Sequence, residues 1–527
     1  MEEMIGSMKY QIFSENEWLY PDTEIIAKNK VDLYVARNSD SCFQILTDVD
    51  LQGGEEISYS LNISGCTPEL MQLLPIYVEE NTGLEWWCTK NYDEVKHFVT
   101  RKAPFEVYDV TKPVEDGETE KGRGAFFVRV NIEKNAPVGN FDGIFNLNIG
   151  VDKLEIPISI KIYNTIVPSY EESKFHMTNW LFRYQEMAKK GNDALMEFLD
   201  KHFRVLLDMR NDTIMIPSGE PVYDENGSII DFDFSLAETV GNFAIEKGFK
   251  YIMGGFVAHW KDVDDENIFL LWDQEIEARS LEAFRQFKIY FTRAYECVKR
   301  NNWDGRYMQC IEDEPTPANI DAYRTITNIC RRCMPGVIIN DPMSKTEAYG
   351  SVDIWVIKQE DFDIYTDRYK KMQEMGEELW VYTCGFPAGP VMKRGLDFPI
   401  SVSRLPLWMT YFYGGKGYLH WGYNARNPER CRPEIPYITE SEDVPGHRLP
   451  PGDAFIVYPG NKSIWYGVRG HAQRMGVYDF ELLTMLGKKD KDKAIEIITS
   501  VCRSFIDYDS SAEAIDGARK KILDQLG

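Results

Sequence analysis

Eight short apolar runs alternate with longer amphipathic stretches from residue 174 onward, and this alternation constrains the fold more than any other feature of the chain. Each run is long enough for one buried strand, and the stretches between them repeat apolar residues at helical spacing. Repeated strand and helix units favour a parallel sheet, and eight such units are what a closed (β/α)8 TIM-type barrel requires. The expected strands are 174–180, 213–216, 251–256, 307–311, 337–340, 352–356, 379–383 and 418–421.

The stretches between these runs predict helices whose charged residues lie on solvated faces. The expected helices are 193–209, 274–300, 318–333, 362–375 and 468–486. A hairpin is expected at 221–232, because Asn226 and Gly227 favour a tight two-residue turn. This hairpin would follow the second barrel strand and help to wall a pocket.

Strands of a different kind are expected before residue 165, where apolar and polar residues alternate singly. This period of two indicates strands that bury one face, and turn-forming residues separate them, which is typical of a β-sandwich. The clearest runs are 31–37, 57–63, 125–132 and 154–163, with a turn expected at 135–143. We therefore expect an N-terminal β-sandwich domain at 1–165 and a (β/α)8 barrel domain with C-terminal helices at 166–527.

The chain is strongly acidic, with a formal net charge of −25 over 527 residues. A nucleic-acid partner requires a basic surface that displaces counterions, so nucleic acid is excluded as an expected partner, and so is a membrane surface. The N-terminus lacks a basic segment followed by an apolar core, and no apolar run approaches the roughly 18 residues of a membrane-spanning helix. We expect a cytoplasmic protein, although an exported chain trimmed of its signal would look the same.

The cysteines and histidines predict no metal centre, and we expect no cofactor. Ten cysteines are too few and too irregular for a disulfide framework, and the seven histidines show no metal-ligand spacing. Cys330 and Cys333 form the one close pair, but no second pair or nearby histidine completes a tetrahedral set. Most of the thiols are therefore expected to be reduced and packed in the cores.

Polar and aromatic residues gather at the ends of the expected barrel strands. Barrel enzymes carry their active residues at the C-terminal ends of the strands, so these side chains would share one rim. Sugars stack their apolar faces on aromatic rings and bind their hydroxyls to short polar side chains, which favours a carbohydrate site. Each residue alone is more typical of packing. The candidate sugar-binding residues are Trp180, His259, Asn340, Trp355, Tyr382, Trp421 and Asn424.

Three consecutive carboxylates, Glu312, Asp313 and Glu314, end the fourth expected strand and precede Pro315. Adjacent acids repel one another, so the fold must supply donors or keep one of them protonated, and either outcome suits acid catalysis. A solvated loop cap is the alternative interpretation of the same residues. Because proline disfavours helical geometry in the residue before it, we expect extended backbone at Glu314.

The adjacent Asp and Glu suit two separate catalytic tasks, because neighbours on a strand point to opposite sides. Glycosidic bond cleavage needs a protonated carboxyl beside the leaving oxygen and a second group that stabilises or captures the anomeric centre. In substrate-assisted catalysis, the carbonyl oxygen of a 2-acetamido group attacks that centre. Asp313 would then orient the acetamido group, while Glu314 would act as general acid and afterwards as general base.

Five segments extend this pattern beyond the acids. They are CIEDEP at 310–315, VDIWV at 352–356, WVYTC at 380–384, GYLHWGYN at 417–424 and GDAFIVYPG at 452–460. In order and spacing they resemble glycoside hydrolase family 123, whose best-known members are β-N-acetylgalactosaminidases, and the likeness runs from Lys174 to the C-terminus. The resemblance implies a retaining, substrate-assisted hydrolase with Asp313 and Glu314 as its catalytic pair. Tyr382 and Trp421 match aromatic positions of the family, and 465–483 resembles its closing helix.

The expected activity is the exo-hydrolysis of a terminal β-linked N-acetylgalactosamine, or more broadly N-acetylhexosamine, from a small oligosaccharide or glycoconjugate. The galacto configuration rests on the resemblance alone. One rival is a glycosidase of the same fold acting on a sugar without an acetamido group, with Asp341 or Asp353 as nucleophile. Another is a non-catalytic carbohydrate-binding protein. The sequence leaves the oligomeric state open, a homodimer included.

Overall fold

A computed structural model describes residues 8–26, 29–85, 87–262, 265–343, 348–425, 442–444 and 447–527. Internal contacts divide the chain into two compact units. The first, which we call the sheet unit, comprises the residues up to Phe175 together with Cys384–Phe412 and Asn424–Gly527. The second, the barrel unit, comprises His176–Thr383 and Tyr413–Tyr423. The C-terminal helices belong to the sheet unit, where they pack chiefly on one another and also contact strands of the N-terminal part.

The N-terminal part of the sheet unit consists of strands joined by short turns. They are β1 (Tyr10–Ser14), β2 (Val31–Arg37), β3 (Ser39–Leu51), β4 (Ile57–Leu61), β5 (Cys66–Val78), β6 (Asn81–Thr82), β7 (Cys88–Thr89), β8 (Phe105–Pro113), β9 (Gly122–Ile132), β10 (Gly139–Ile149) and β11 (Asp152–Ile166), with a short helix α1 (Tyr92–Val95) and a 3-10 turn at Val114–Asp116. One sheet has the order β1-β3-β9-β5-β8 and the other β2-β11-β10-β4. Both contribute to one hydrophobic core, in which Phe43 and Phe145 meet edge to face at 5.8 Å.

The barrel unit contains all eight strands that the sequence predicts. Its strands are β12 (His176–Asn179), β13 (Thr213–Met215), β14 (Glu220–Tyr223), β15 (Ile229–Asp233), β16 (Tyr251–Gly254), β17 (Ala258–His259), β18 (Phe269–Leu270), β19 (Asp273–Glu277), β20 (Tyr307–Gln309), β21 (Ile338–Met343), β22 (Ile354–Lys358), β23 (Glu378–Tyr382) and β24 (Gly417–His420). Its helices are α2 (Tyr184–Lys189), α3 (Asn192–Asp208), α4 (Ser235–Lys247), α5 (Leu281–Arg300), α6 (Ile320–Cys333), α7 (Gln359–Ile364) and α8 (Thr366–Glu374).

Eight of these strands form one parallel sheet in the order β12-β24-β23-β22-β21-β20-β16-β13. This sheet is nearly closed into a barrel. Asp212, which directly precedes β13, links the two outer strands by hydrogen bonds to β12. Its backbone N–H donates to the carbonyl of Met177 at 3.0 Å, and its carboxylate accepts from the Met177 N–H at 3.0 Å. The hairpin expected near Asn226 is confirmed as the pair β14 and β15.

Two expected helices differ from the structure. The helix expected from 274 begins only at Leu281, because Asp273–Glu277 form β19 and the Ser280 hydroxyl caps the helix by accepting from the Ala283 N–H at 3.1 Å. The helix expected at 362–375 is instead two helices, α7 and α8, which meet at Tyr365.

The C-terminal part of the sheet unit is mostly helical. Its elements are a 3-10 turn at Ile400–Ser403, α9 (Leu405–Phe412), β25 (Glu442–Val444), β26 (His447–Arg448), β27 (Val457–Pro459), β28 (Ile464–Gly467), α10 (Val468–Lys489), α11 (Lys491–Thr499) and α12 (Ala512–Leu526). Strand β28 pairs with β8 and so extends the larger N-terminal sheet. The expectation of solvated charges is wrong for α10, because Arg469, Arg474 and Asp479 are buried there in ion pairs.

Candidate active site

The three consecutive carboxylates follow β20 at the C-terminal end of the barrel sheet. Glu314 has a backbone φ of +54°, which is the left-handed region and not the extended backbone expected before proline. The backbone here is fixed by a tertiary contact, since the indole N–H of Trp260 donates to the Asp313 carbonyl at 2.8 Å. A non-glycine residue in this region is uncommon, and such residues concentrate at functional sites.

Glu314 is the member of the triplet that has a side-chain donor. The hydroxyl of Tyr382, at the end of β23, donates a hydrogen bond to Glu314 Oε1. Glu314 is half-buried, whereas the Tyr382 side chain is almost fully covered. A carboxyl held by a phenol and still partly open to solvent is placed to exchange a proton with a ligand.

Asp313 keeps its proton more tightly than an ordinary aspartate. Burial raises the pKa of Asp313 to about 8, and the neighbouring charge of Glu314 adds to that rise. The Asp313 carboxyl therefore retains its proton at neutral pH. A proton available at neutral pH is what general acid catalysis needs.

Glu312 is buried in the wall of the barrel. It is fully buried, and neither carboxylate oxygen has a hydrogen-bond partner within the described residues. Burial raises the pKa of Glu312 well above its ordinary value, and the charges of Asp313 and Asp341 act in the same direction. Burial therefore favours the protonated form of Glu312.

The family model for the glycoside hydrolase 123 catalytic domain matches residues 163–486 of the chain. The chain belongs to glycoside hydrolase family 123. The match spans the acid triplet and every candidate sugar-binding residue. Membership in this family implies hydrolase activity on carbohydrate substrates.

A solved structure shares the fold. A family 123 glycoside hydrolase from Clostridium perfringens, studied for glycolipid glycan hydrolysis, is similar with a TM-score of 0.69 and 12% identity, over 99% of this chain and 97% of its own. A β-D-glucuronidase from Dictyoglomus thermophilum has a TM-score of 0.35 and 8% identity, over 89% of this chain and 68% of its own. Among functionally curated proteins, no match was found.

Several predicted site residues of this family 123 chain lie near the acids or on the same side of the barrel. Tyr382 contacts Glu314 directly. His259 is half-buried, and its ring stacks on Trp260, the residue that anchors Asp313, at 5.4 Å. Burial lowers the pKa of His259, so the ring is neutral at physiological pH.

Two further predicted residues lie just past the strand ends. Trp421 is half-buried directly after β24. Trp180 follows β12 and is only 5% exposed, with its ring edge to face with Phe256 at 5.5 Å. The indole N–H of Trp180 has no acceptor within the described part of the chain.

The remaining three predicted residues occupy different environments. Asn340 lies inside β21 and is fully buried, because that strand continues three residues further than expected. Trp355 is also fully buried, and its indole N–H donates to Glu377 Oε2 at 2.7 Å, just before β23 begins. Asn424 belongs to the sheet unit, where it forms a bridge with Phe455.

The face that Trp355 occupies follows from the strand register. Trp355 pairs with Asp341 on the neighbouring strand, and in-register partners share one face of a sheet. The Asp341 carboxylate accepts a hydrogen bond from the Tyr323 hydroxyl of α6 at 2.6 Å, so this face packs against the outer helices. Trp355 is therefore a packing residue.

The two carboxylates of the rival mechanism are poorly placed for it. Burial raises the pKa of Asp341 well above its ordinary value, and its carboxylate already accepts from Tyr323 and from the Ile311 N–H. Asp353 precedes β22, at the opposite end of the strand from the rim, and pairs with Arg331 at 2.9 Å. Neither is free to attack a sugar bound beside Glu314.

Lys358 and Trp260 are site residues that the sequence reasoning missed. The sixth strand was expected to end at Val356, but it ends at Lys358, whose charge lies close to that of Glu314. A strand boundary drawn two residues later would have placed this lysine on the rim.

The described residues contain no group of three or more His, Cys, Asp or Glu that could hold a metal ion, and no described helix is long and apolar enough to span a bilayer.

Proposed function

We propose that this chain is a retaining exo-glycosidase that removes terminal β-linked N-acetylgalactosamine by substrate-assisted catalysis. The observation that carries the proposal is the adjacent pair Asp313 and Glu314, in which Glu314 is held by Tyr382 and burial raises the pKa of Asp313 to about 8. The preference for the galacto configuration rests on the family alone, and a glycoconjugate or small oligosaccharide is the proposed substrate.

The first step breaks the bond between the anomeric carbon and the leaving oxygen. Glu314 donates its proton to that oxygen, and the acetamido carbonyl oxygen forms a new bond to the anomeric carbon. Asp313 accepts a hydrogen bond from the acetamido N–H, which orients the group and stabilises the positive charge that develops on the cyclised intermediate. Accepting that bond favours the ionised form of Asp313, and the proton that Asp313 releases can pass to Glu314.

The second step restores the enzyme. Glu314, now a carboxylate, removes a proton from water as the water oxygen attacks the anomeric carbon. The bond from the acetamido oxygen to that carbon breaks, and the sugar leaves with its original anomeric configuration. Two inversions at one centre give net retention.

A panel of 4-nitrophenyl β-glycosides tests this proposal. Hydrolysis of the N-acetylgalactosaminide, with the N-acetylglucosaminide slower and the plain galactoside and glucoside inert, is the expected result. Turnover of plain galactosides with none of acetamido sugars would overturn the assisted mechanism. Sugar binding without turnover of any member would instead indicate a carbohydrate-binding protein.

The role of Asp313 has its own test. Asp313→Asn is expected to lower kcat on acetamido substrates by roughly 100-fold or more, because the amide cannot stabilise the developing positive charge. An equal loss on any substrate that lacks the acetamido group would contradict the orienting role. A thiazoline that mimics the cyclised intermediate should inhibit the wild-type enzyme and bind the variant more weakly.

The N-terminal region is proposed to be a β-sandwich domain. The shared core of the two sheets supports this assignment, because residues such as Ile45 and Phe126 of one sheet and Ile160 of the other belong to one hydrophobic cluster.

A further inference from the structure

Tyr382 reaches Glu314 across the mouth of the barrel. Two strands, β22 and β21, separate β23 from β20 in the sheet, yet the Tyr382 hydroxyl donates to Glu314. Its side chain therefore points to the barrel interior and passes over the end of β22. Any residue that ends β22 on the same face lies between the tyrosine and the acid.

Lys358 is that residue. It is the last residue of β22, and it pairs in register with Tyr382 on the adjacent strand. In-register partners of a sheet share a face and lie roughly 5 Å apart. The Lys358 side chain is only 9% exposed, and its ammonium lies 3.0 Å from Glu360 Oε1.

We propose that Lys358 is a positioning residue that places a buried positive charge beside Glu314 and stabilises the carboxylate form of that acid. This inference rests on the proposed function, in which Glu314 alternates between acid and carboxylate. Lys358 need not touch the substrate. Its effect on the reaction would pass through Glu314 alone.

The charges around the acid explain why such a residue is needed. When a bound acetamido group holds Asp313 in its ionised form, the Asp313 carboxylate repels the carboxylate that Glu314 becomes on giving up its proton. The Tyr382 hydroxyl and the Lys358 ammonium oppose that effect. Burial favours the uncharged form of Glu312, which would add little to this repulsion.

The lysine itself stays charged in this position. Burial lowers the pKa of Lys358, but the carboxylates of Glu360 and Glu314 outweigh burial, Asp361 adds to them, and the net pKa lies above its ordinary value. A lysine that served only to pair with Glu360 would fix the end of β22 without affecting Glu314. The two roles differ in what they do to the pKa of Glu314.

The pKa of Glu314 can be measured without substrate, by carbon-13 NMR titration of glutamate-labelled protein. The Glu314 signal is the one that disappears in Glu314→Gln. In Lys358→Met the pKa of Glu314 is expected to rise by about one unit or more, because a nearby opposite charge typically accounts for a shift of that size. The alkaline limb of kcat/KM should move to higher pH by the same amount.

Three variants control this experiment. Lys358→Arg keeps the charge and should leave the Glu314 titration close to wild type. Glu360→Gln removes the competing carboxylate and should move the titration to lower pH, which keeps the inference testable if Lys358→Met does not fold. Lys370→Met removes an exposed lysine of α8 and should change neither profile.

An unchanged Glu314 titration in folded Lys358→Met, or in Glu360→Gln, would overturn the inference. So would an equal shift in Lys370→Met. If the wild-type enzyme cleaves no acetamido sugar while the NMR titration still follows the charge at position 358, the proposed function fails and the electrostatic role of Lys358 stands.

Discussion

Three neighbouring carboxyl groups occupy three different environments in this molecule. Glu312 is enclosed in the barrel wall, Asp313 is held by its backbone to Trp260, and Glu314 turns through a left-handed backbone to meet Tyr382. Burial raises the pKa of Glu312 and of Asp313, although the three side chains are chemically similar. Differentiation of this kind allows an acid and an orienting group to work side by side.

The contrast between two Glu to Gln substitutions tests this differentiation. Glu314→Gln should lower kcat by roughly 100- to 10,000-fold, because it removes proton transfer. Glu312→Gln should retain most of the activity, because an amide has the size and neutrality of the protonated acid that it replaces. Steady-state kinetics on the N-acetylgalactosaminide, with melting temperatures for both variants, measure the difference. A similar loss in both would mean that Glu312 takes part in the chemistry.

Asp313 should make the fold less stable as pH rises. Its pKa is about 8 in the folded chain, above the ordinary value of 3.8, so the folded state binds a proton that the unfolded state has released. The stabilisation is complete below about pH 4 and is lost as the pH rises towards 8. The melting temperature of wild type relative to Asp313→Asn should therefore fall between those pH values. A difference that stays flat or rises would show that Asp313 is ionised in the fold.

At the scale of elements, the site depends on the loop after β16 as much as on the loop after β20. Trp260, which follows β17, donates to the Asp313 carbonyl and carries His259 stacked on its ring. This contact holds the backbone that turns Glu314 towards Tyr382. The pre-proline preference for extended geometry is weak compared with a packed tertiary contact.

Trp260→Phe should therefore impair catalysis more than stability. The substitution keeps an aromatic ring but removes the donor to Asp313, so the acid pair would lose its orientation, and kcat should fall by about tenfold or more. Trp272→Phe is the matched control, because it removes an indole donor to Gln286 elsewhere in the barrel unit. Measurements of kcat and of the urea unfolding midpoint for both variants test whether the indole donor matters more for catalysis than for stability. Equal kinetic losses would mean that the indole of Trp260 has no special role.

At the scale of the whole molecule, buried charges organise the sheet unit. Asp479 of α10 accepts from Arg404 at 2.6 Å and from Arg519 of α12 at 3.1 Å, and all three side chains are buried. Arg469 pairs in the same way with Asp109 of β8 at 2.9 Å. These pairs join distant parts of the sequence, from the N-terminal strands to the last helix.

Removing one member of this network of buried ion pairs should lower the free energy of unfolding. Asp479→Asn leaves two buried guanidinium groups without their shared carboxylate and should destabilise the sheet unit by about 3–5 kcal/mol. Urea denaturation followed by circular dichroism measures the change. Asp507→Asn is the control, because Asp507 is exposed in its pair with Arg503 and its loss should leave the midpoint unchanged. Equal midpoints for the two variants would contradict the importance of burial.

The barrel could be predicted because its signal is local. Each strand is a short apolar run, and all eight form where they were expected, although β21 and β22 continue beyond their expected ends. The acid pair could also be located from the sequence, because three adjacent carboxylates and the proline after them lie in one short segment. Apolar periodicity did not locate the start of α5, because the residues before it pair as a small sheet instead.

The sequence by itself determined the eight strands, the position of the acid pair and the likeness to the family, because each depends on residues close together in the chain. Only the tertiary structure decided which face of the sheet a residue occupies. Register with Asp341 places Trp355 against the outer helices, and register places Lys358 on the same face as Tyr382, whose hydroxyl binds Glu314. The grouping of the C-terminal helices with the N-terminal sheets was decided in the same way. Such facts depend on pairing between distant segments, and local patterns of hydrophobicity do not record which segments will pair.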